Sequence, residues 1–162
     1  VFIIHARKAL LQGLSPKDNR TIPPLQYPLV YEMQKNFPGL DIILNGGLTD
    51  LKEMKSYVKS RVAGVMIGRE AYQNPSILLN VDNEIFDQKE KVRSMKDVIR
   101  NMIEYCNREK AEGTAIKGIL KHLKGAFKGR ANSKEFKRVL FCNETTDSEK
   151  LERLSNLVPI YC

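Results

Sequence analysis

Two short glycine-containing groups each follow an apolar run that has the character of a buried strand. The first group is Asn45-Gly46-Gly47 and the second is Gly68-Arg69. Glycines leave backbone N–H groups free of Cβ obstruction, and the arginine adds a fixed positive charge, so these residues could hold a phosphate. In a (β/α)8 barrel the loops after strands seven and eight often hold a phosphate. The pair predicts a phosphate clamp, with an ordinary glycine turn as the alternative for each group.

A cationic group follows the first apolar run of the chain. His5 and Arg7 alternate along this strand, so their side chains point to one side, and Lys8 comes next. Arg7 and Lys8 together at a strand end favour an anionic partner. His5 could donate a hydrogen bond to a cofactor, and Arg7 could reach a substrate. A hydrogen-bonded structural histidine is the plainer alternative for His5.

Positive charge is concentrated in the middle of the chain. The formal net charge is +8, and residues 91–138 hold 14 Lys or Arg against 5 Asp or Glu. The pattern of residues 114–128 predicts one amphipathic helix capped by Thr114. One face of that helix carries the basic row Lys117, Lys121, Lys124 and Lys128. The row is a candidate nucleic-acid surface, with a solvated helix face as the alternative. His122 lies off this row and is expected to be exposed or locally bonded.

One pattern occurs three times before this basic region. The three segments are VFIIHAR, DIILNGG and GVMIGRE. Short apolar runs that end in polar or glycine residues are typical of parallel strands covered on both faces. Helices are predicted between them at 28–37 and 50–58, the second with Asp50 as N-cap and Glu53 completing a capping box. Right-handed crossovers place the three strand ends at one edge of the sheet.

After these units the pattern changes to helices. A buried stripe is predicted at Val92, Met95, Ile99, Met102 and Cys106. Gly113 ends that helix, and two further helices are predicted at 133–141 and 147–157. The chain is therefore expected to be α/β, with a parallel part at 1–87 followed by a small all-α helical bundle at 88–162. Residues 72–74, which follow the clamp, are expected to form a turn, with RNA contact as the alternative.

Composition excludes several classes of protein. The 162 residues are 42% hydrophobic, enough for one modest core, and no stretch approaches the roughly 20 apolar residues of a membrane span. The start of the chain lacks the features of a signal peptide. Cys106, Cys142 and Cys162 are odd in number and lack metal-ligand spacing, so neither a disulfide framework nor a metal site is expected. A reducing compartment such as the cytoplasm is favoured, with an organelle left open.

Several of these motifs together resemble one enzyme family. The matching segments are HARKALLQGLSPKDNRTIPPLQY, LNGGL, GVMIGREAYQNP and HLKGAFKGRANSKEFKRVL. They resemble the A-type branch of the tRNA dihydrouridine synthases, flavoenzymes that reduce uridines in the D loop of transfer RNA. The resemblance implies a TIM barrel that holds FMN, a small helical domain that binds tRNA, and NADPH as reductant. VFII looks like the sixth barrel strand, so this chain is expected to supply about the last three βα units.

The resemblance also implies roles for individual residues. His5 resembles a histidine beside the flavin, and the clamp described above, Asn45 to Gly47 with Gly68 and Arg69, resembles the site of its phosphate. Arg7 and Lys8 look like residues that face the uridine or its backbone. The family's catalytic cysteine would lie upstream of this chain. We therefore expect the 162 residues alone to be inactive and the bare edge of the first strand to favour self-association.

Two other functions stay open from the sequence. One is a different FMN-binding TIM-barrel oxidoreductase that acts on a small molecule, since it would share the clamp. It does not explain the lysine-rich helical region. The other is a non-catalytic RNA-binding fragment. Bound flavin and RNA-dependent activity discriminate among the three.

Overall fold

The computed structural model describes residues 1–89, 91–131 and 133–158. The chain forms two compact units. The first unit contains residues 1–70 and 84–88, and the second contains residues 71–83 and 89–162. The composition change predicted a boundary at 87, whereas residues 71–83 group with the second unit.

The first unit is built on a parallel sheet of three strands in the order β1-β2-β3. The strands are β1 (Phe2–His5), β2 (Ile42–Asn45) and β3 (Gly64–Met66). β2 lies between the other two and is the most buried, with Ile42 and Leu44 both 1% exposed or less. β1 pairs with β2 alone among the described residues, and its Phe2 is 52% exposed. The three predicted parallel strands are confirmed, but the prediction that all three are covered on both faces is wrong, since Ile3 of β1 is 56% and Met66 of β3 is 42% exposed.

The helices between the strands begin and end close to their predicted positions. They are α1 (Tyr27–Asn36) and α2 (Leu51–Ser60). The predicted cap of α2 is confirmed, because the Asp50 side chain accepts a hydrogen bond from the Glu53 N–H at 2.8 Å. The predicted return bond of a capping box is not formed. The Glu53 carboxylate instead accepts from the Tyr57 hydroxyl one turn later.

The second unit contains the remaining helices. They are α4 (Val81–Glu84), α5 (Met95–Ala111), α6 (Lys117–Leu120), α7 (Ser133–Phe141) and α8 (Asp147–Leu157). The last residue of α4 is grouped with the first unit. The short α3 (Arg69–Gln73) has its first two residues in the first unit and the rest in the second. α5 begins at a capping box formed by Ser94 and Asp97, a signal that the periodicity argument overlooked. Val92 lies before this cap and is 42% exposed, so its place in the buried stripe is wrong. Gly113 follows α5 at φ +84°, as its predicted role as a helix end requires.

The segment 114–128 departs most from prediction. It forms α6 and then a 3-10 turn at Lys121–Leu123 rather than one helix, and Thr114 does not cap it. Its predicted apolar face is nevertheless buried, since Ile116, Leu120 and Phe127 are each 3% exposed or less. The apolar spacing thus found the core correctly. It did not find the breaks in the backbone, and the four lysines do not share one helix face.

The core of the second unit joins this segment to α7 and α8. The Phe127 and Phe136 rings meet edge to face with centroids 4.8 Å apart. Leu140 on α7 and Leu154 on α8 are both 2% exposed or less. Both helices have the predicted bounds, and Thr146 caps α8 in a capping box with Glu149. No helix among the described residues is long and apolar enough to cross a membrane.

Candidate anion-binding site

The turn after β2 is the centre of the candidate site. Gly46 and Gly47 have φ of +121° and +68°, a region that favours glycine. A Cβ at Gly46 would lie 3.3 Å from Leu25 Cδ2 and 3.4 Å from His5 Cε1, and one at Gly47 would lie 2.7 Å from Leu25 Cδ1. Asn45, which precedes the turn, pairs in register with His5 on β1. The positive φ angles therefore favour glycine in this turn, and a side chain there would also have to displace the end of the Leu25 side chain.

The second glycine group lies after β3 and has a different character. Gly68 has no positive φ, and among the described residues no atom lies within 4 Å of a Cβ built there. The described residues thus give no steric reason for glycine at this position. Arg69 is exposed, and its Nη2 donates to the Arg20 carbonyl at 3.0 Å. This bond holds the Arg69 guanidinium against the loop that follows β1.

Arg7 is fixed by the same loop. Its Nη1 donates to the Pro23 carbonyl, and its backbone forms an antiparallel bridge with Leu25. Its Nε is buried without an acceptor among the described residues. A buried donor without a partner costs about 1–3 kcal/mol, so it is a group that a bound anion or polar ligand would satisfy.

His5 lies among the arginines at this edge of the sheet. Burial lowers the pKa of its imidazole, and the guanidinium groups of Arg7, Arg69 and Arg20 lower that pKa further. The ring is therefore neutral near pH 7, with one nitrogen a donor and the other an acceptor. A bound anion would oppose the repulsion from the arginines. The candidate site as a whole is a cationic edge of the sheet with one neutral imidazole ring.

The loop that organises these arginines was not predicted from the sequence. The Asn19 side chain donates to the Leu10 carbonyl and accepts from the Leu10 N–H, both at 2.8 Å. The Tyr27 hydroxyl donates to the Gly46 carbonyl at 2.6 Å and ties the start of α1 to the glycine turn. An Asn that bonds backbone on both sides is a known loop device, but its partner lies nine residues away and only the fold reveals it.

The lysine row is distributed differently from its prediction. The Lys117 ammonium donates to the Asn143 side-chain oxygen at 3.3 Å, while Lys121 is exposed. Lys124 and Lys128 instead line a notch with Lys137 of α7, which was not predicted. Their role in RNA binding stays a prediction. The same holds for Lys8, which is exposed in the loop after β1.

The second histidine and the cysteines of the chain belong to the second unit. His122 is exposed, and its ring packs edge to face against the Tyr72 ring with centroids 5.7 Å apart. The prediction that His122 is exposed or locally bonded is confirmed. Cys106 is fully buried in the core, and burial raises the pKa of its thiol. Hydrogen bonds from Glu144 and Thr145 lower the pKa of the Cys142 thiol. Cys162 lies outside the described residues, which contain no group of His, Cys, Asp and Glu that could hold a metal ion.

Comparison with known families identifies the chain. The model of the dihydrouridine synthase family matches residues 1–159. The chain belongs to the dihydrouridine synthase family. The resemblance predicted from the sequence motifs is thereby confirmed. The family implies a TIM barrel, and three parallel strands with helices between them are consistent with part of one in this dihydrouridine synthase chain.

Several relatives are tRNA-dihydrouridine(20/20a) synthases of bacteria. The protein of Escherichia coli K12 is 47% identical over 140 residues, which are 86% of this chain and 40% of the relative. That of Salmonella typhi is 44% identical over 161 residues, 98% of this chain and 48% of the relative. That of Haemophilus ducreyi is 40% identical over 151 residues, 93% of this chain and 46% of the relative. This dihydrouridine synthase chain spans less than half of these relatives and matches their carboxyl-terminal part.

Proposed function

We propose that the chain is the carboxyl-terminal part of an FMN-dependent tRNA dihydrouridine synthase that uses NADPH as reductant. Its substrate would be a uridine in the D loop of tRNA, reduced to 5,6-dihydrouridine. Membership of the family supports the reaction class. The observation that supports FMN as the cofactor is the cationic, glycine-lined edge formed by the ends of β1, β2 and β3.

The residues at this edge fit the phosphate of FMN. Gly46 and Gly47 turn through positive φ, so successive N–H groups have no Cβ beside them. Gly68 leaves open space, and Arg69 offers a guanidinium that can bind two phosphate oxygens. These residues, with Asn45, would hold the phosphate at the carboxyl ends of the strands.

The remaining residues would act around the reacting groups. FMN, when bound, supplies the transfer of a hydride from NADPH to C6 of the uracil. His5, neutral because of its lowered pKa, would donate a hydrogen bond to the flavin ring without adding charge. Arg7 and Lys8 would orient the uridine or its phosphate. A cysteine of the segment that precedes the matched region in the relatives would deliver the proton to C5.

RNA binding would fall to the basic second unit. A base inside folded RNA must be swung out before an enzyme can reach its C6, so the protein has to hold the RNA by its backbone while the base is exposed. The lysines Lys117, Lys121, Lys124 and Lys128 supply charge for this purpose. Transfer RNA is thus the proposed partner of both units, and the small helical domain is proposed to be its main docking surface.

Flavin retention tests the cofactor assignment. The amino-terminal segment of the Escherichia coli K12 relative, up to its matched region, is fused to this chain. We expect the hybrid to purify with a yellow flavin that mass spectrometry identifies as FMN, because the fused strands supply walls for the ring. The chain alone should retain little, since a phosphate clamp covers only part of the ligand. A folded hybrid that binds no FMN would refute the assignment.

A further inference from the structure

We propose that a notch in the second unit binds one unpaired nucleotide of the RNA substrate. This proposal rests on the proposed function only because that function identifies RNA as the ligand. The notch has a volume of about 420 Å³ and is lined by Tyr72, Gln73, Lys124, Gly125, Lys128 and Lys137. Its size falls within the roughly 300–1,000 Å³ of small-molecule sites. The phosphate would lie among the three lysines and the base against the tyrosine ring.

Gly125 builds the notch by allowing two backbones to meet. A Cβ at this position would lie 2.4 Å from the Gln73 carbonyl oxygen, 2.6 Å from its carbon and 2.8 Å from the Tyr72 carbonyl oxygen. Only glycine permits this approach. The contact brings the ring of Tyr72 beside Lys124 and Lys128, which flank Gly125 in sequence. Thus residues about fifty positions apart form one concave surface.

The charge of the notch is of one sign. Lys124 and Lys128 come from the segment after the 3-10 turn, and Lys137 comes from α7. Among the residues that the structure describes, no carboxylate lines the notch. A neighbouring concavity is different, because Glu135 lines it and pairs with Arg138 at 3.3 Å. Three ammonium groups around one concavity attract a phosphodiester. Two of these lysines belong to the row predicted from the sequence, and Lys137 of α7 is the third.

Tyr72 supplies the aromatic surface that a base needs. Its ring is held by the edge-to-face contact with His122 at 83° between planes, and its hydroxyl lies 3.5 Å from the Lys121 carbonyl. It is still 49% exposed. A fixed, half-exposed ring beside cationic side chains is the combination that proteins use to bind unstacked bases.

The composition of the notch favours RNA over other anionic partners. A lipid surface is bound through apolar side chains beside the basic ones, whereas the described residues that line the notch include no Leu, Ile, Val or Met. The Gln73 amide instead offers a donor and an acceptor for a base edge. A concave site suits a splayed nucleotide, because a regular duplex presents its phosphates on a convex surface and keeps its bases stacked.

The test compares charge removal inside and outside the notch. The full chain carries either Lys124→Gln with Lys137→Gln or, as a control of equal charge, Lys35→Gln with Lys52→Gln, both exposed on α1 and α2. Binding to an unmodified tRNA transcript is measured against salt. We expect the notch variant to bind about 10-fold more weakly at low salt and to lose one to two units of log–log salt slope, while the control changes little. Circular dichroism checks that both are folded.

Variants of Tyr72 distinguish base stacking from electrostatic attraction as contributions to tRNA binding. Tyr72→Ala should weaken tRNA binding about fivefold or more with an unchanged salt slope, and Tyr72→Phe should bind like the parent chain. A blunt duplex RNA of equal length and vesicles of anionic phospholipid serve as competitors, and both should compete poorly. Equal loss in notch and control variants, effective competition by duplex or vesicles, or no tRNA binding by the parent chain would overturn the proposal. FMN retention by the hybrid does not depend on these variants, so the two proposals fail separately.

Discussion

Replacing Gly125 by alanine should destabilise the second unit, although local propensity predicts the opposite. Gly125 has no positive φ, so the change on its own should stabilise the chain by about 0.4–1 kcal/mol through the unfolded state. The new Cβ would however lie 2.4 Å from the Gln73 carbonyl oxygen, about 1 Å closer than ordinary contact. The obstructing atoms are backbone, which cannot rotate away. Overpacking of this kind costs about 1–3 kcal/mol, so the net change should be unfavourable.

A matched control is present in the same segment. Gly118 lies in α6 and has no atom within 4 Å of a built Cβ among the described residues. Gly118→Ala should therefore be neutral or stabilising, and the two variants should shift stability in opposite directions. Urea unfolding followed by far-ultraviolet circular dichroism measures both. If Gly125→Ala proved as stable as Gly118→Ala, the close approach to Tyr72 and Gln73 would be wrong.

Two further predictions concern the anion site. Arg69→Ala in the FMN-binding hybrid should weaken FMN affinity about 10-fold or more, because a hydrogen bond to a charged group contributes about 1.5–3 kcal/mol. Calorimetric titration measures this affinity, and an unchanged value would show that Arg69 is not part of the clamp. The lowered pKa of His5 means that the folded chain binds fewer protons than the unfolded chain, so stability should fall as pH drops below about 6.5. Unfolding measured from pH 7 to 5 should show a shallower loss for His5→Asn, and an equal loss in both chains would contradict the assigned environment.

The sequence predicted those elements whose pattern is local. The strands β1, β2 and β3 lie in apolar runs of the sequence because each is paired or packed within the sheet. The helices α7 and α8 have regular apolar spacing, so the sequence predicted their bounds directly. Segment 114–128 misled the same reasoning. Its apolar spacing suits a helix, but α6 ends at Leu120, a 3-10 turn follows, and Gly125 packs against the backbone of residues 72–73. Periodicity carries no information about such a contact.

The candidate site was predicted in part for the same reason. Gly46, Gly47 and Arg69 follow strands of the parallel sheet, and parallel pairing places strand ends at one edge. Arg20 was missed because its link to Arg69 joins residues 49 positions apart through a backbone carbonyl, an acceptor that every residue offers. Lys137 was missed because it reaches the notch from another helix. Local patterns identified the strand ends, whereas only the folded chain identified the loop and the helix that contribute to the two candidate sites.

The formation of dihydrouridine by the hybrid tests the central claim most directly. The hybrid and the chain alone are incubated with FMN, NADPH and unmodified tRNA, and the digested nucleosides are measured by mass spectrometry. We predict that the hybrid forms dihydrouridine only when NADPH is present and that the chain alone forms none, because the ring walls and the proton donor come from the fused segment. A folded hybrid that binds FMN and tRNA yet forms no dihydrouridine would contradict this account, as would comparable turnover by the 162 residues alone.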